Sequence, residues 1–358
     1  MKLQQFGWCH DTSSAAAAEF LPLAAQGFVL GRISLEHRGA YRVLTEWGEL
    51  PAAVTGQFRY QAETALDFPA VGDWVALQLH NQNTEVTIHR LLPRRSQFVR
   101  KAAGQQTEAQ VVAANVDSLF LMAGLDGDFN LRRLERYLVM AWESGANPVI
   151  LLNKADLCPD LDDKLALLET IAFNVPVHAV SAASGEGLEA LAIYLSPGQT
   201  VALVGSSGVG KSTLTNYLLG MQRQATQTVR SDDSKGRHTT THRQLLRLPS
   251  GALLIDTPGM RELQLWSTAD GLDDTCGDVE ELASQCKFRD CQHQSEPGCA
   301  VLSAIASGHL TPQRLHSYQK LQKEQQWLEQ RQDQRASLNT KRRWKQITKT
   351  MRQQSKKH

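Results

Sequence analysis

The sequence lacks any apolar run long enough to cross a bilayer. Its longest, Ala109 to Leu125, is broken by Asn115 and Asp117 and falls short of the roughly 20 residues that a spanning helix needs. Met1 to His10 also lacks the charged-then-apolar pattern of a secretion signal, so a cytoplasmic protein with no membrane partner is expected. An excess of either charge is missing too. The 38 Lys and Arg against 37 Asp and Glu leave a net charge of +1, which excludes a global basic field. Cysteine is sparse, with 6 residues in 358, and disulfides are disfavoured in the expected compartment. No internal repeat is visible, and the length predicts two or three domains with ample core for each.

What is present centres on Val201 to Leu218, VALVGSSGVGKSTLTNYL. A strand-forming run precedes Gly205, Ser206, Ser207, Gly208, Val209, Gly210, Lys211 and Ser212, and an amphipathic run starting there follows. The glycines let successive backbone N–H groups turn inward, and the helix adds its positive end where a pyrophosphate would sit. Lys211 is expected to reach the β and γ phosphates and the Ser212 hydroxyl to ligate Mg²⁺, with Thr213 next in the loop. This context predicts a nucleoside triphosphate site.

Two other loops select the base. Asn153, Lys154, Ala155 and Asp156 close the apolar run Pro148 to Leu152, at the carboxyl end of a buried strand, where open α/β sheets bind ligands. The Asp156 carboxylate can accept two hydrogen bonds from the N1 and N2 edge of guanine, which adenine cannot supply, so an ATP-using kinase is disfavoured. Asn153 supports the loop and the base, and the Lys154 stem can lie along the ring. A second run, Val175 to Val180, ends in Ser181, Ala182 and Ala183, whose backbone can donate to guanine O6.

The order of these motifs is inverted. In ordinary GTPases the phosphate loop precedes the switch threonine, DxxG, NKxD and SAx elements; here NKAD and SAA come first, and Asp256-Thr-Pro-Gly259 follows the phosphate loop. The chain reads as a circularly permuted GTPase, a rearrangement tolerated because domain termini usually lie close together at the surface. Thr240, preferred over Thr239 and Thr241, is the candidate switch I ligand of Mg²⁺ and the γ phosphate. Asp256 would hold Mg²⁺ through water, and the Gly259 N–H would sense the γ phosphate. Glutamine is absent after Gly259, where many GTPases use it to orient the attacking water; the residue is Met260. His238 is the internal candidate for that task, against the reading of a solvated loop histidine.

Cys286-x4-Cys291-x-His293-x5-Cys299 offers a Cys3His set with no open position, which suits one structural Zn²⁺. Cys9, Cys158 and Cys276 lie outside it. The expected division is a mobile N-terminal arm over residues 1–25, an OB-type β barrel over 26–103, the permuted P-loop GTPase over 104–266, a zinc-binding helical domain over 267–335 and a basic tail over 336–358. The barrel follows from five strand-like runs, Gly27 to Ser34, Tyr41 to Leu44, Leu50 to Val54, Asp73 to Leu79 and Val86 to Leu92. Arg32, His37, Arg38, Tyr41 and Arg42 mix basic and aromatic groups as single-stranded nucleic-acid platforms do, against the reading of an ordinary solvated face. Pro93 to Lys101 reads as a basic linker. The alternation after it, with a helix over Leu131 to Glu143, predicts a doubly wound, mostly parallel sheet. Arg335, Lys341, Arg342, Arg343, Lys345, Lys349, Arg352, Lys356 and Lys357, with no acid among them, make the tail a candidate nucleic-acid arm.

These residues together resemble the RsgA (YjeQ) family, the ribosome small subunit-dependent GTPases. The likeness runs from Gly27 to about Arg335. Its most specific parts are the permuted order, Gly205 to Asn216, Gly236 to Thr241, Leu131 to Tyr137 and the CxHxxEPGC cluster from Cys291 to Cys299. The resemblance implies an OB domain, a permuted GTPase and a zinc domain that act late in 30S subunit maturation near the decoding region of 16S rRNA. It further implies hydrolysis of GTP to GDP and phosphate, stimulated by the small subunit, with the switch I histidine, here His238, as the catalytic group. A monomer is expected. The alternative from another class is a nucleotide-gated RNA-binding module with negligible hydrolysis.

Overall fold

A computed structural model of the chain describes residues 3–8, 14–37, 39–80, 85–101, 109–127, 129–172, 174–220, 243–257, 270–289, 291–312 and 314–323. The chain divides into two compact units, Met1–Ala102 with Glu108–Gln264, and Ala103–Thr107 with Leu265–His358.

The first unit begins with a short 3-10 turn, Leu3–Phe6, and helix α1, Ala15–Ala25. The Ser14 hydroxyl caps α1 by accepting from the Ala17 N–H at 3.2 Å. The mobile arm expected over residues 1–25 is therefore corrected for residues 3–8 and 14–25. Phe6 and Trp8 are buried, and Trp8 meets Trp74 edge-on with ring centroids 4.9 Å apart. Burying such side chains contributes roughly 1.5–3 kcal/mol each, enough to order a segment whose own sequence shows no periodicity.

Five strands then close a barrel: β1 (Val29–His37), β2 (Ala40–Thr45), β3 (Gly48–Val54), β4 (Trp74–His80) and β5 (Glu85–Leu91). The short helix α2 (Gly56–Gln61) follows β3. The circuit runs β1-β2-β3-β5-β4 and back to β1, with β3 and β5 parallel and the other pairs antiparallel. Closure leaves no free edge. Alternation sends Ile33, Val43, Val75, Leu77 and Ile88 inward, where each is fully buried. The segment read as a basic linker holds β6 (Gln97–Lys101), paired antiparallel with β7 (Ala109–Ala114). Its arginines serve the fold. Arg94 makes a two-pronged ion pair with the fully buried Asp73, at 2.7 and 2.8 Å, and Arg95 pairs with Asp117 at 2.9 Å.

The sheet of the permuted domain follows: β8 (Ser118–Gly124), helix α3 (Leu131–Glu143), β9 (Asn147–Asn153), helix α4 (Leu161–Glu169), β10 (Val177–Val180), β11 (Thr200–Gly205), helix α5 (Lys211–Leu218), β12 (Gln244–Arg247) and β13 (Leu253–Asp256). The order is β10-β9-β8-β11-β13-β12. Every neighbouring pair is parallel except the last. Each residue of β8 and β11 is buried, which is why these strands read as unbroken apolar runs rather than alternating ones. Helix α3 starts where the Asn130 side chain accepts from the Arg133 N–H at 3.0 Å. It turns Leu134, Tyr137, Leu138 and Ala141 inward at helical spacing and packs on β8 and β9.

Barrel and sheet are continuous, because Leu35 of β1 pairs antiparallel with Gln244 of β12. Fully buried Arg32 binds across the same seam. Its guanidinium donates to the carbonyls of Gly72 and Asn115 and to the Thr200 hydroxyl, each at 3.0 Å, and to the Phe6 carbonyl. Burial lowers its pKa to about 10. The nucleic-acid platform expected from Arg32 and Tyr41 is thereby corrected, since both side chains are interior. Gly72 has φ +95°, and a Cβ there would sit 2.1 Å from the Ala114 carbonyl oxygen, so the seam closes only over glycine.

The second unit holds helix α6 (Asp270–Ser284), kinked at Cys276, helix α7 (Ala300–Ala306) and a helical stretch through residues 314–323. Cys276, Val279, Val301, Leu315, Tyr318 and Leu321 form its buried interior. Arg314 locks the helices with a two-pronged ion pair to Asp278 at 2.8 and 3.0 Å.

Candidate functional site

Three loops at the carboxyl ends of β9, β10 and β11 meet through one side chain. Asn153, at the end of β9, is 2% exposed, too dry for an amide to stand without partners. Its Nδ2 donates to the Val209 carbonyl in the phosphate loop at 2.7 Å, and its Oδ1 accepts from the Ala182 N–H at 2.9 Å. The loops after β9, β10 and β11 thus meet at one place despite their inverted order along the chain. Gly210 completes the fit. It has φ +102°, and a Cβ there would stand 2.2 Å from Asn153 Nδ2, so any other residue would push the clamp apart.

The phosphate loop leaves buried Gly205, passes half-buried Ser206 and exposed Ser207 and Gly208, and buries Val209 at 1% exposure. Lys211 opens α5, and its ammonium donates to the carbonyls of Gly205 and Ser206, both at 2.7 Å. The cation is therefore held against the loop by the loop's own carbonyls. Ser212 is exposed and Thr213 half-buried in the first turn of α5. Asp256 ends β13 next to this cation. Burial pushes its carboxyl above the ordinary carboxylate range, against the pull of Lys211 and of the Thr257 N–H. The Thr257 hydroxyl donates to the Leu203 carbonyl and fixes the strand below.

On the base side, Lys154 sits in the left-handed region with φ +68°, a conformation that costs a non-glycine residue roughly 1 kcal/mol or more. It leads into the 3-10 turn Ala155–Leu157, which carries exposed Asp156. Ser181 is fully buried and structures its loop: its carbonyl accepts from the Gly185 N–H at 2.8 Å and its hydroxyl from the Ser184 N–H at 3.2 Å. The Ala182 N–H belongs to the Asn153 clamp. His238, Thr240 and Gly259 lie outside the described residues, as do Thr239, Thr241, Met260, Cys9 and the basic tail.

In the second unit, one ligand atom from each of Cys286, Cys291, His293 and Cys299 falls within 4.8 Å of the others. Cys286 and Cys299 sulfurs are 3.8 Å apart, and His293 Nδ1 is 3.7 and 3.4 Å from them. Sulfur at about 2.3 Å and nitrogen at about 2.0 Å around a tetrahedral ion stand roughly 3.5–3.8 Å from one another. The spacing therefore fits a metal ion. Glu296, unassigned by the sequence reading, staples this loop: its carboxylate accepts from the N–H groups of Gln292 at 2.9 Å, Gln294 at 2.8 Å and Ser295 at 3.0 Å. These bonds lower its pKa to about 2. Asp126, also missed, ion-pairs with Lys154. The signal for Glu296 was its place in the Glu-Pro-Gly turn between two ligands; nothing local marked Asp126, because its partner lies one strand away.

The RsgA GTPase family model matches residues 91–266. The Small ribosomal subunit biogenesis GTPase RsgA of Opitutus terrae is 48% identical over 356 residues, covering 97% of this chain and 96% of the relative. The chain belongs to the RsgA GTPase family. The RsgA 2 protein of Lactiplantibacillus plantarum is 52% identical and covers 83% of this chain and 84% of that protein. Among solved structures, YjeQ from Thermotoga maritima superposes with a TM-score of 0.60 at 27% identity, covering 82% of this chain and 97% of that one. YloQ, described as a circularly permuted GTPase, gives 0.58 at 26%, covering 83% and 94%. An ABC transporter family model also matches residues 188–357, a range that includes the phosphate loop and excludes both base-side loops. Membership in the RsgA GTPase family makes this chain a GTP hydrolase, and the permuted order, the barrel and the Cys3His cluster are the parts of the family pattern that its structure displays. No helix among the described residues is long and apolar enough to cross a membrane.

Proposed function

We propose that this GTPase works on the small ribosomal subunit during late 30S maturation, hydrolysing GTP to GDP and phosphate when the subunit stimulates it. The observation that supports a guanine-nucleotide site most strongly is the Asn153 clamp between Val209 and Ala182, which ties base side to phosphate side. In this reading Asp156 accepts from the guanine N1 and N2 edge, the Lys154 stem lies along the ring, and Asn153, Ser181 and Ala182 shape the base loop. Backbone N–H groups from Gly205 to Thr213 and the Lys211 ammonium hold the phosphates. Ser212, Thr240 and, through water, Asp256 would hold Mg²⁺, which supplies charge neutralisation across the β and γ phosphates. Gly259 senses the γ phosphate.

His238 orients the attacking water in place of the glutamine that the sequence replaces with Met260. That replacement accounts for the need for an external activator: with no glutamine beside Gly259 to hold the attacking water, hydrolysis waits for a partner to complete the site. Cys286, Cys291, His293 and Cys299 hold one structural Zn²⁺. The partner surface is 16S rRNA, the protein is a cytoplasmic monomer, and the boundaries near residues 104, 267 and 336 separate barrel, GTPase, zinc domain and tail.

The test is GTP turnover with and without purified 30S subunits. A large stimulation that His238→Ala removes is expected. Turnover unchanged by the subunit contradicts the proposal and favours the nucleotide-gated RNA-binding module, and stimulation that survives His238→Ala contradicts the role given to His238.

A further inference from the structure

The loop after β8 reaches across to the base side of the site, and no motif accounts for it. Asp126 ion-pairs through Oδ2 with the ammonium of Lys154. The loop is pinned at the residue just before that contact: the Leu125 N–H donates to the Asn153 carbonyl at 2.8 Å, and the Lys164 ammonium of α4 donates to the Leu125 carbonyl at 3.1 Å. Lys164 also pairs with Asp160 at 3.0 Å, so the loops after β8 and β9 are tied together at two levels. Leu125 itself is 2% exposed. An ion pair whose carboxylate rides on such a fixed loop loses less side-chain entropy than a free surface pair.

We infer that Asp126 is a positioning residue for guanine-nucleotide binding: it anchors the Lys154 ammonium so that the methylene stem lies ready as a flat wall for the purine. The left-handed backbone of Lys154, φ +68°, turns this side chain out of the strand direction, and the anchor at its tip selects one of the many rotamers that the stem can take. Holding the stem before the base arrives removes an ordering cost from binding. The inference rests on the assignment of Asn153 to Asp156 as the base-reading loop. It predicts that Asp126 affects all purine nucleotides sharing the stem contact, whereas Asp156 alone distinguishes guanine, with its N2 amino group, from hypoxanthine, which lacks it.

The experiment measures affinities of the full-length protein for GDP and inosine diphosphate, for the unmodified chain and for Asp126→Asn, Asp126→Glu and Asp126→Lys. Both partners of the pair are partly exposed, at 28% and 39%, and pairs of that kind contribute at most about 1 kcal/mol, or roughly fivefold in affinity. Asp126→Asn is expected to bind both nucleotides up to about fivefold more weakly with their ratio unchanged, Asp126→Lys more weakly still, and Asp126→Glu nearly normally. The deficit should shrink in 1 M salt, where the Debye length is about 3 Å. Unchanged GDP affinity in Asp126→Asn and Asp126→Lys overturns the inference. So does a lost preference for GDP over inosine diphosphate, which would mean that Asp126 shapes the Asp156 turn rather than the Lys154 stem. If the unmodified chain itself shows no preference for GDP, the assignment of Asp156 fails, and the inference falls with it.

Discussion

Asn153 does two jobs with one amide, and its truncation separates them from ordinary core packing. Asn153→Ala leaves the Val209 carbonyl and the Ala182 N–H without their partner. Each unsatisfied buried group costs about 1–3 kcal/mol, so the variant should lose roughly 2–5 kcal/mol of stability by denaturant unfolding and bind GDP at least tenfold more weakly. Wild-type affinity in that variant would show that the clamp does not organise the pocket. The chemistry of this residue was legible in the sequence, because an asparagine at a strand end before Lys-Ala-Asp is a recognisable base loop. Its partners were not legible, since Val209 and Ala182 are distant in the chain and only the fold selects them. Arg32 shows the converse. A basic residue on a barrel strand reads as a surface group, yet it is buried because four oxygens from four separate segments converge on it.

At the scale of elements, regular patterns were readable wherever burial is one-sided or complete. All five barrel strands overlap the strand-like runs of the sequence, and α3 spans the expected Leu131–Glu143. Helix α1 and the turn Leu3–Phe6 were missed, because their order depends on Phe6 and Trp8 finding places against residues far along the chain. The pair β6 and β7 was missed as well, since Arg94 and Arg95 just before β6 look like linker charge until Asp73 and Asp117 are placed opposite them. The metal loop depends on the Glu296 staple. Glu296→Ala removes the acceptor of three backbone N–H groups. Supporting bonds around a metal site are worth at least about tenfold in affinity, so that variant should surrender zinc to a chelator roughly tenfold more readily while GDP binding stays normal. Equal zinc retention would show that the four ligands alone shape the loop.

At the scale of the whole molecule, permutation keeps the sheet order of a doubly wound nucleotide-binding domain while changing what the termini connect. Asp256 pairs in register with Gln244, and Gln244 with Leu35 of the barrel. One ladder therefore runs from the carboxylate beside Lys211 to the barrel wall, within a single compact unit. The central claim is that the loops after β9, β10 and β11 make one guanine-nucleotide site. Equilibrium competition for bound fluorescent GDP tests it most directly, with GDP, ADP and xanthosine diphosphate as competitors of the unmodified chain and of Asp156→Asn. The account predicts displacement by GDP and not ADP in the unmodified chain, and a shift of preference from GDP to xanthosine diphosphate in Asp156→Asn, where the new amide donates to the added O2. Equal displacement by ADP, or an Asp156→Asn variant that still prefers GDP, would contradict it.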